Sequence, residues 1–293
     1  MANVSMDLVK KLREKTQVGM MDCKKALEEA NGDIEKAIEI LRKKGSAVAA
    51  KRGDNATTNG RIECFISQDM KTGAMVEVAC ETDFSAKTVD MEFFAKHTAE
   101  VAAINAVNDA QAILSQKSVK NPSLVVKDHL DELIAKITES IKVSKVILFK
   151  AGKFGMVSAY IHPGSTVGVM IELETEKDHS ANIEELKEVA KNLCMQIAVN
   201  KPLSVSPSDL DPASVAKERE IATEQLKLSG KPANVIEKIL EGKIKKYYED
   251  VCLLNQFFIK NDKITIQLYL DEVSKKLGNK VTVKQFVRVG IGR

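Results

Sequence analysis

The chain has 293 residues, of which 44% are hydrophobic and 29% are charged. This length and composition are typical of about two folded domains and exclude a disordered polyelectrolyte. Because 44 Lys and Arg stand against 41 Asp and Glu, the net charge is only +3. Such a balance argues against a protein built mainly to hold nucleic-acid backbones, so we expect no direct nucleic-acid partner.

The N-terminal segment is charged and resembles a helix in its pattern. Because it has no apolar core followed by a cleavage site, we expect that it is not a signal peptide. No apolar run approaches the roughly 18 residues of a membrane span. The five cysteines are odd in number and far apart, which indicates reduced core residues rather than a disulfide framework. We therefore expect a cytoplasmic protein with no membrane partner.

Residues 1–45 predict three short amphipathic helices, since apolar residues recur there with helical spacing. Asp33 is placed to cap the third helix, and Gly45 is expected to end it. Three helices joined by tight turns predict a minimal bundle, which resembles the ubiquitin-associated type. Residues 46–60 are small and polar without periodicity, so they predict a linker.

Two adjacent methionines, Met20 and Met21, lie between the first and second helices of this bundle. A core this small cannot hold both side chains, so we expect at least one at the surface. An exposed methionine is an adaptable contact for a partner protein, and simple packing is the alternative.

The remaining chain contains an internal duplication. Residues 61–105 repeat without gaps as residues 156–200, with 12 of 45 positions identical at a constant offset of 95, where unrelated sequences would share about three. Each copy predicts a strand, a turn, a second strand and a helix. The sequence therefore predicts an α+β fold, in which a duplicated β-hairpin with a covering helix forms the core.

The duplication and the flanking composition predict the remaining domain boundaries. One core subdomain is expected in 61–145, and the other, with a C-terminal module, in 146–205 and 249–293. Between the last two, residues 206–248 predict two helices in a protruding antiparallel hairpin. Its helix boundaries are marked by turn residues, namely Asp211-Pro212 at the first start, Ser229-Gly230 at the first end and Pro232 at the second start.

The sequence lacks the common motifs of nucleotide-binding sites, metal sites and hydrolase active sites. It has no GxxxxGK[ST] or GxGxxG loop, no HExxH or CxxC pair, and no GxSxG elbow. Its four histidines have no second His or Cys at metal-ligand spacing, and His97, on an apolar helix, is interpreted as structural. The sequence therefore predicts no enzyme, no metal site and no cofactor.

The most unusual segment is the break between the second strand and the helix of the first copy, Thr82-Asp83-Phe84-Ser85. The second copy matches it closely enough to predict the same loop backbone, but it has no Phe. In one interpretation Asp83 caps the following turn and Phe84 packs back on its own helix. In the other, a rigid turn presents one apolar ring beside one carboxylate to another protein.

At these residues the sequence resembles the elongation factor Ts family, and the resemblance covers nearly the whole chain. The matching segments are residues 19–27, 31–33, 82–84, 160–162 and 230–232. Family members usually carry Val at the position of Ser85 and Asn at the position of Ala79. They also usually carry a basic residue in the loop that is Pro163-Gly164-Ser165-Thr166 here.

The resemblance implies a translation elongation factor that binds elongation factor Tu with GDP, dislodges magnesium and promotes GDP release so that GTP can bind. It implies that the turn from Thr82 to Ser85 intrudes near the magnesium site of the partner's GTPase domain, with Asp83 and Phe84 displacing the ion.

The resemblance also implies further contacts with the same partner. Arg13, Met20 and Met21 would contact the GTPase domain, and His162 would lie near a second contact. Because the helical hairpin is a dimerisation arm in some members, a homodimer through residues 206–248 is a further expectation.

Two other functions compete with nucleotide exchange. A binding scaffold would recruit partners through residues 1–45, with the α+β body as a passive dimer. An RNA-binding translation protein would bind with a steep salt dependence, against which the +3 balance argues.

Overall fold

The computed structural model describes residues 4–53, 55–227 and 233–292. Helices and small sheets alternate along the chain, so the α+β prediction is confirmed. The chain forms two compact units, one of Met1–Lys150, Ile161–Gly168 and Val289–Arg293, and one of Ala151–Tyr160 and Val169–Arg288. Over the described ranges no helix is both long enough and apolar enough to cross a bilayer.

The elements follow in chain order. The helices are α1 (Met6–Thr16), α2 (Met20–Glu29), α3 (Ile34–Arg52), α4 (Asp83–Ala86), α5 (Val89–Ile104), α6 (Val126–Ile137), α7 (Ile183–Asn200), α8 (Pro212–Lys227), α9 (Ala233–Val251) and α10 (Ile266–Leu277). The strands are β1 (Asn59–Ile66), β2 (Thr72–Cys80), β3 (Ile141–Lys150), β4 (Gly155–Ile161), β5 (Val167–Thr175), β6 (Phe257–Phe258), β7 (Asn261–Thr265) and β8 (Val281–Gly290).

The predicted three-helix bundle is confirmed as α1, α2 and α3. Asp33 caps α3 as expected, because its Oδ1 accepts from the backbone N–H of Glu35 at 3.0 Å and of Lys36 at 3.2 Å. The apolar stripes of the three helices meet in one buried core, which includes Val9, Leu12, Cys23, Ala26, Leu27, Ala37 and Leu41. Local periodicity therefore suffices to define this bundle.

The prediction that the third helix ends at Gly45 is wrong. The residues after Gly45, which the sequence predicts to be the start of a linker, continue the helix. Helix α3 continues to Arg52. A Cβ atom at Gly45 would overlap with the carbonyl oxygen of Asp131 in α6. The glycine is therefore needed for a close approach of two helices and not as a stop signal. The side chains agree, since Ser46 Oγ donates to Asp131 Oδ2 at 2.6 Å.

The duplication is confirmed in the elements themselves. Strands β1 and β2 with helix α5 recur as β4, β5 and α7, and the offset of 95 carries β2 onto β5 end to end. Each copy gains a third strand from elsewhere in the chain, so the sheet orders are β1-β2-β3 and β4-β5-β8. These third strands, β3 and β8, both lie outside the residues of the duplication.

Two predicted subdomain boundaries differ from the structure. The boundary after residue 145 falls inside β3, which pairs antiparallel with β2 along its whole length. The sequence predicts that residues 161–168 belong to the second subdomain, but they lie in the first unit. There the carbonyl of Ser165 accepts from the N–H of Ile62 at 2.7 Å, so this turn pairs with one backbone group at the open edge of β1.

The predicted helical hairpin is present as α8 and α9, although α9 runs on to Val251. Asp211 precedes α8 as expected, and its Oδ1 accepts from the N–H of Ala213 at 3.1 Å. The two helices contact each other through Lys243 Nζ, which donates to Gln225 Oε1 at 2.8 Å. The expected end at Ser229-Gly230 and the expected start at Pro232 lie outside the described residues.

His97 is buried in the first unit, as its structural interpretation requires. Its Nε2 lies 3.0 Å from Ser118 Oγ, and its ring meets the ring of His129 edge to face with centroids 5.3 Å apart. Burial is the main cause that lowers the pKa of His97 to about 4, and the nearby His129 and Lys120 lower it further.

Gly45→Ala should destabilise the protein by about 1–3 kcal/mol, because the added methyl group must push α3 away from α6. Chemical denaturation of the full chain measures this loss. Gly242→Ala is the matched control, since nothing lies within 4 Å of a Cβ there. That helical substitution should be neutral or stabilising by about 0.5–1 kcal/mol. Equal effects at both sites would contradict the close packing.

Stability should fall as the pH drops from about 6.5 toward about 4, because the unfolded chain binds a proton at His97 more readily than the folded one. Between pH 7 and pH 5 this residue alone should contribute a loss of about 2 kcal/mol. Denaturation curves across that range give the dependence of the unfolding free energy on pH for the wild-type chain and for His97→Gln. The dependence should be weaker in the variant. An unchanged slope in the variant would show that His97 is not the responsible group.

Candidate functional site

The segment between β2 and α5 forms a single helical turn, α4, which with Glu81 and Thr82 we call the spur (residues 81–86). Thr82 has an extended backbone, with φ −121° and ψ 156°, and its side chain accepts from the N–H of Ser85 at 3.3 Å. Thr82 is thus the cap of this turn. The interpretation that assigned the cap to Asp83 is wrong, because that residue is already inside the helix.

Phe84 extends into solvent from the spur. Its side chain is 80% exposed, so the expectation that it packs back on its own helix is wrong. Beside it, Asp83 Oδ2 accepts from Lys87 Nζ at 2.7 Å. This hydrogen bond lowers the pKa of Asp83, so the carboxylate stays ionised next to the ring.

The second copy of the duplication shows that this exposure is specific to the first. His179 stands where Phe84 stands, yet it is only 8% exposed, and its Nδ1 lies 2.9 Å from Thr175 Oγ1. The following turn is a short 3₁₀ segment from Ser180 to Asn182. The predicted identity of the two loop backbones is therefore only approximate, and the second copy buries the residue that the first one exposes.

Glu139, between α6 and β3, forms hydrogen bonds with Thr82 at the start of the spur. Its Oε1 accepts from Thr82 Oγ1 at 2.8 Å, and its Oε2 accepts from the Thr82 N–H at 3.2 Å. Ser85 is buried, and its hydroxyl accepts from Thr82 Oγ1 at 3.3 Å. Ser85 is thus part of the same polar network.

The carboxylate of Glu81 forms the second part of this bracing. It accepts from the Ser140 N–H at 2.6 Å, from Arg52 Nη1 at 3.1 Å and from Asn55 Nδ2 at 3.0 Å. The hydrogen bond from Ser140 is the main cause that lowers the pKa of Glu81, followed by that from Asn55. The carbonyl of Glu81 also accepts from Asn59 Nδ2 at 2.8 Å, so three separate segments fix this residue.

The other predicted site residues lie at the surface of the first unit. Arg13 is exposed on α1, and Met21 on α2 is 65% exposed, while Met20 packs partly against the bundle core. The expectation that at least one methionine is exposed is therefore confirmed. His162 is exposed at the start of the β4–β5 turn, where its carbonyl accepts from the Ser165 N–H at 2.9 Å.

Sequence reasoning missed the residues that brace the spur and two exposed apolar residues on the helix that follows it, α5. Val89 and Phe93 are both exposed, one turn apart on α5, and their spacing of four was the available signal. Lys120 Nζ lies 4.2 Å from the ring centroid of Phe93. The bracing contacts of Arg52 and Glu139 had no local signal, since these residues are 29 and 57 positions from their partners.

Two further features bear on the chemistry of the molecule. In the part of the chain that the structure describes, no group of three or more His, Cys, Asp or Glu side chains is arranged to hold a metal ion. All five cysteines are free thiols, and burial raises the pKa of Cys64 and of Cys80 to about 11.

Comparison with known proteins identifies a family. The family described as "Elongation factor TS" matches residues 81–293. Elongation factor Ts of Clostridium perfringens (strain SM101 / Type A) is 44% identical over 280 residues, which cover 96% of this chain and 90% of that protein. Elongation factor Ts of Clostridium botulinum (strain ATCC 19397 / Type A) is 41% identical over 285 residues, or 97% of this chain and 91% of that protein.

Thr82→Ala should loosen the spur, since it removes the cap and one of the contacts with Glu139. Loss of a cap costs about 1 kcal/mol, so the Ser85 amide should exchange its proton about fivefold faster. Hydrogen exchange followed by NMR measures this rate. Thr265→Ala is the matched control, because it removes the cap of α10 and should accelerate Leu268 instead. Unchanged exchange at Ser85 in Thr82→Ala would contradict the assigned cap.

Proposed function

Because the chain belongs to the elongation factor Ts family and is a translation elongation factor, we propose that it exchanges the nucleotide of elongation factor Tu. In this proposal it binds elongation factor Tu with GDP, dislodges magnesium and promotes GDP release so that GTP can bind. The observation that carries the proposal is the exposed ring of Phe84 on a turn braced by Glu81 and Glu139.

The proposed mechanism uses the spur as a wedge. The ring of Phe84 enters the GTPase domain of the partner near its magnesium site and displaces the groups that hold the ion there. Asp83 brings an ionised carboxylate to the same place, and Thr82 and Ser85 hold the turn that carries both. A preorganised wedge loses little conformational entropy on binding, so more of its contact energy remains for displacing the ion.

The wedge requires further contacts with the partner, because burial of one ring supplies less free energy than nucleotide release requires. Weakening a bound nucleotide by about 10⁴ requires about 5.5 kcal/mol of coupling. Burial of one Phe side chain supplies only about 1.5–3 kcal/mol. We therefore assign Arg13, Met20 and Met21 to contacts with the same GTPase domain, and His162 to a second contact with the partner. Their binding energy supplies the part of the coupling free energy that burial of the ring does not.

Exchange of this kind needs no nucleotide site and no catalytic residue on this chain. The coupling between factor and nucleotide is reciprocal, so GDP or GTP expels the factor as strongly as the factor expels the nucleotide. We accordingly propose a protein that is not an enzyme, that uses no cofactor and that works in the cytoplasm without a nucleic-acid or membrane partner. A homodimer through the helices α8 and α9 is part of the same proposal.

Phe84→Ala should slow GDP release from elongation factor Tu at saturating factor much more than it weakens binding. The truncation removes a ring that is 80% exposed in the free factor, so its effect on folding should stay small. Stopped-flow release of fluorescent GDP gives the rate, and titration gives the half-saturating concentration.

Leu268→Ala is the control for loss of an exposed apolar side chain outside the spur, on α10, and its release rate should match that of the wild-type factor. An unchanged saturating rate for Phe84→Ala would count decisively against the wedge.

A further inference from the structure

We propose that helix α3 is a strut that sets the position of the spur relative to the helical bundle, and that Arg52 is a positioning residue for nucleotide exchange. This inference rests on the proposed function and adds a residue to it. Arg52 lies in the segment that the sequence predicts to be a linker, yet it is the last residue of a continuous helix.

The first part of α3 is fixed to the body of its unit by α6. Arg42 Nη2 lies 2.6 Å from Glu132 Oε1, and Ser46 Oγ donates to Asp131 Oδ2 at 2.6 Å. Between these two contacts, Gly45 lets the helix backbones approach so closely that a methyl group would overlap with α6. The helix therefore leaves the bundle in one direction rather than as a flexible tether.

The far end of α3 reaches the spur. Arg52 Nη1 lies 3.1 Å from Glu81 Oε1 and 3.3 Å from Oε2, so one guanidinium nitrogen bridges both carboxylate oxygens. Glu81 is the residue directly before the cap, Thr82. A displacement of Glu81 therefore moves the start of the turn that carries Phe84.

A second connection closes the arrangement. Helix α6 ends at Ile137, and the residues that follow it, Glu139 and Ser140, contact Thr82 and Glu81. The spur is thus joined to α3 on one side and to the end of α6 on the other, while α3 and α6 are joined to each other. Because the α6 side stays in place without Arg52, loss of its guanidinium should disturb the aim of the spur and leave the fold intact.

The strut predicts a separation of rate from affinity. The bundle and His162 supply most of the anchoring and are unchanged in Arg52→Met, so the half-saturating concentration should stay within about twofold of wild type. The spur would spend less time in its productive orientation, so the saturating rate of GDP release should fall about fivefold, as expected for one partly exposed ion pair. Arg52→Lys keeps a cation at this place and should recover part of the rate.

The decisive experiment combines Arg52→Met with Phe84→Ala in full-length chains. If Arg52 acts through the spur, its substitution should slow release in the wild-type background and have no further effect once the ring is gone. Lys36→Met is the matched control, because it removes a cation from the same helix whose partner, Asp33, lies within the bundle at 3.8 Å. It should leave both the rate and the half-saturating concentration unchanged.

Each outcome has one meaning. A wild-type chain that does not accelerate GDP release overturns the proposed function itself. A wild-type chain that accelerates release, together with an unchanged saturating rate for Arg52→Met, overturns the strut alone. Equal slowing by Arg52→Met with and without Phe84 also overturns the strut, since it would show that Arg52 acts elsewhere. Slowing that disappears in the Phe84→Ala background supports it.

Discussion

An aromatic ring can face solvent on a single helical turn only if other groups hold the backbone of that turn. Phe84 contributes little apolar burial to its own fold, and one helical turn is not stable by itself. Hydrogen bonds to Glu81, Thr82 and Glu139 replace the missing packing. The polar network around the base of the turn is therefore the constraint on which the proposed function of the molecule depends.

The two copies of the internal duplication share their strands and helix but differ in the side chain that the connecting loop exposes. Strand β5 and helix α7 repeat the arrangement of β2 and α5, but the second copy places His179 where the first has Phe84. His179 turns inward and contacts Thr175, whereas Phe84 turns outward. The duplicated strand and helix determine where the loop lies. The side chain in the loop and its local partners determine whether an apolar group is exposed for contact with another molecule.

The continuous helix α3 changes how the helical bundle relates to the spur. A flexible linker would let the bundle bind a partner without constraining what the spur does. A helix fixed at Gly45 and paired at Arg52 carries the orientation of one to the other. Binding energy gained by the bundle can then act on the turn, which is what the proposed wedge requires, because burial of a single ring supplies too little energy by itself.

The sequence by itself determined the elements whose signals are local. Helical periodicity defined the bundle, the offset of 95 defined two strand–strand–helix copies, and Asp33 and Asp211 marked helix starts. Only the tertiary structure decided the role of Gly45, the outward turn of Phe84 and the bracing of the spur. The physical reason is distance along the chain, because periodicity and caps act over a few residues. The pairing of groups 29 or 57 positions apart exists only once the helices and strands have packed.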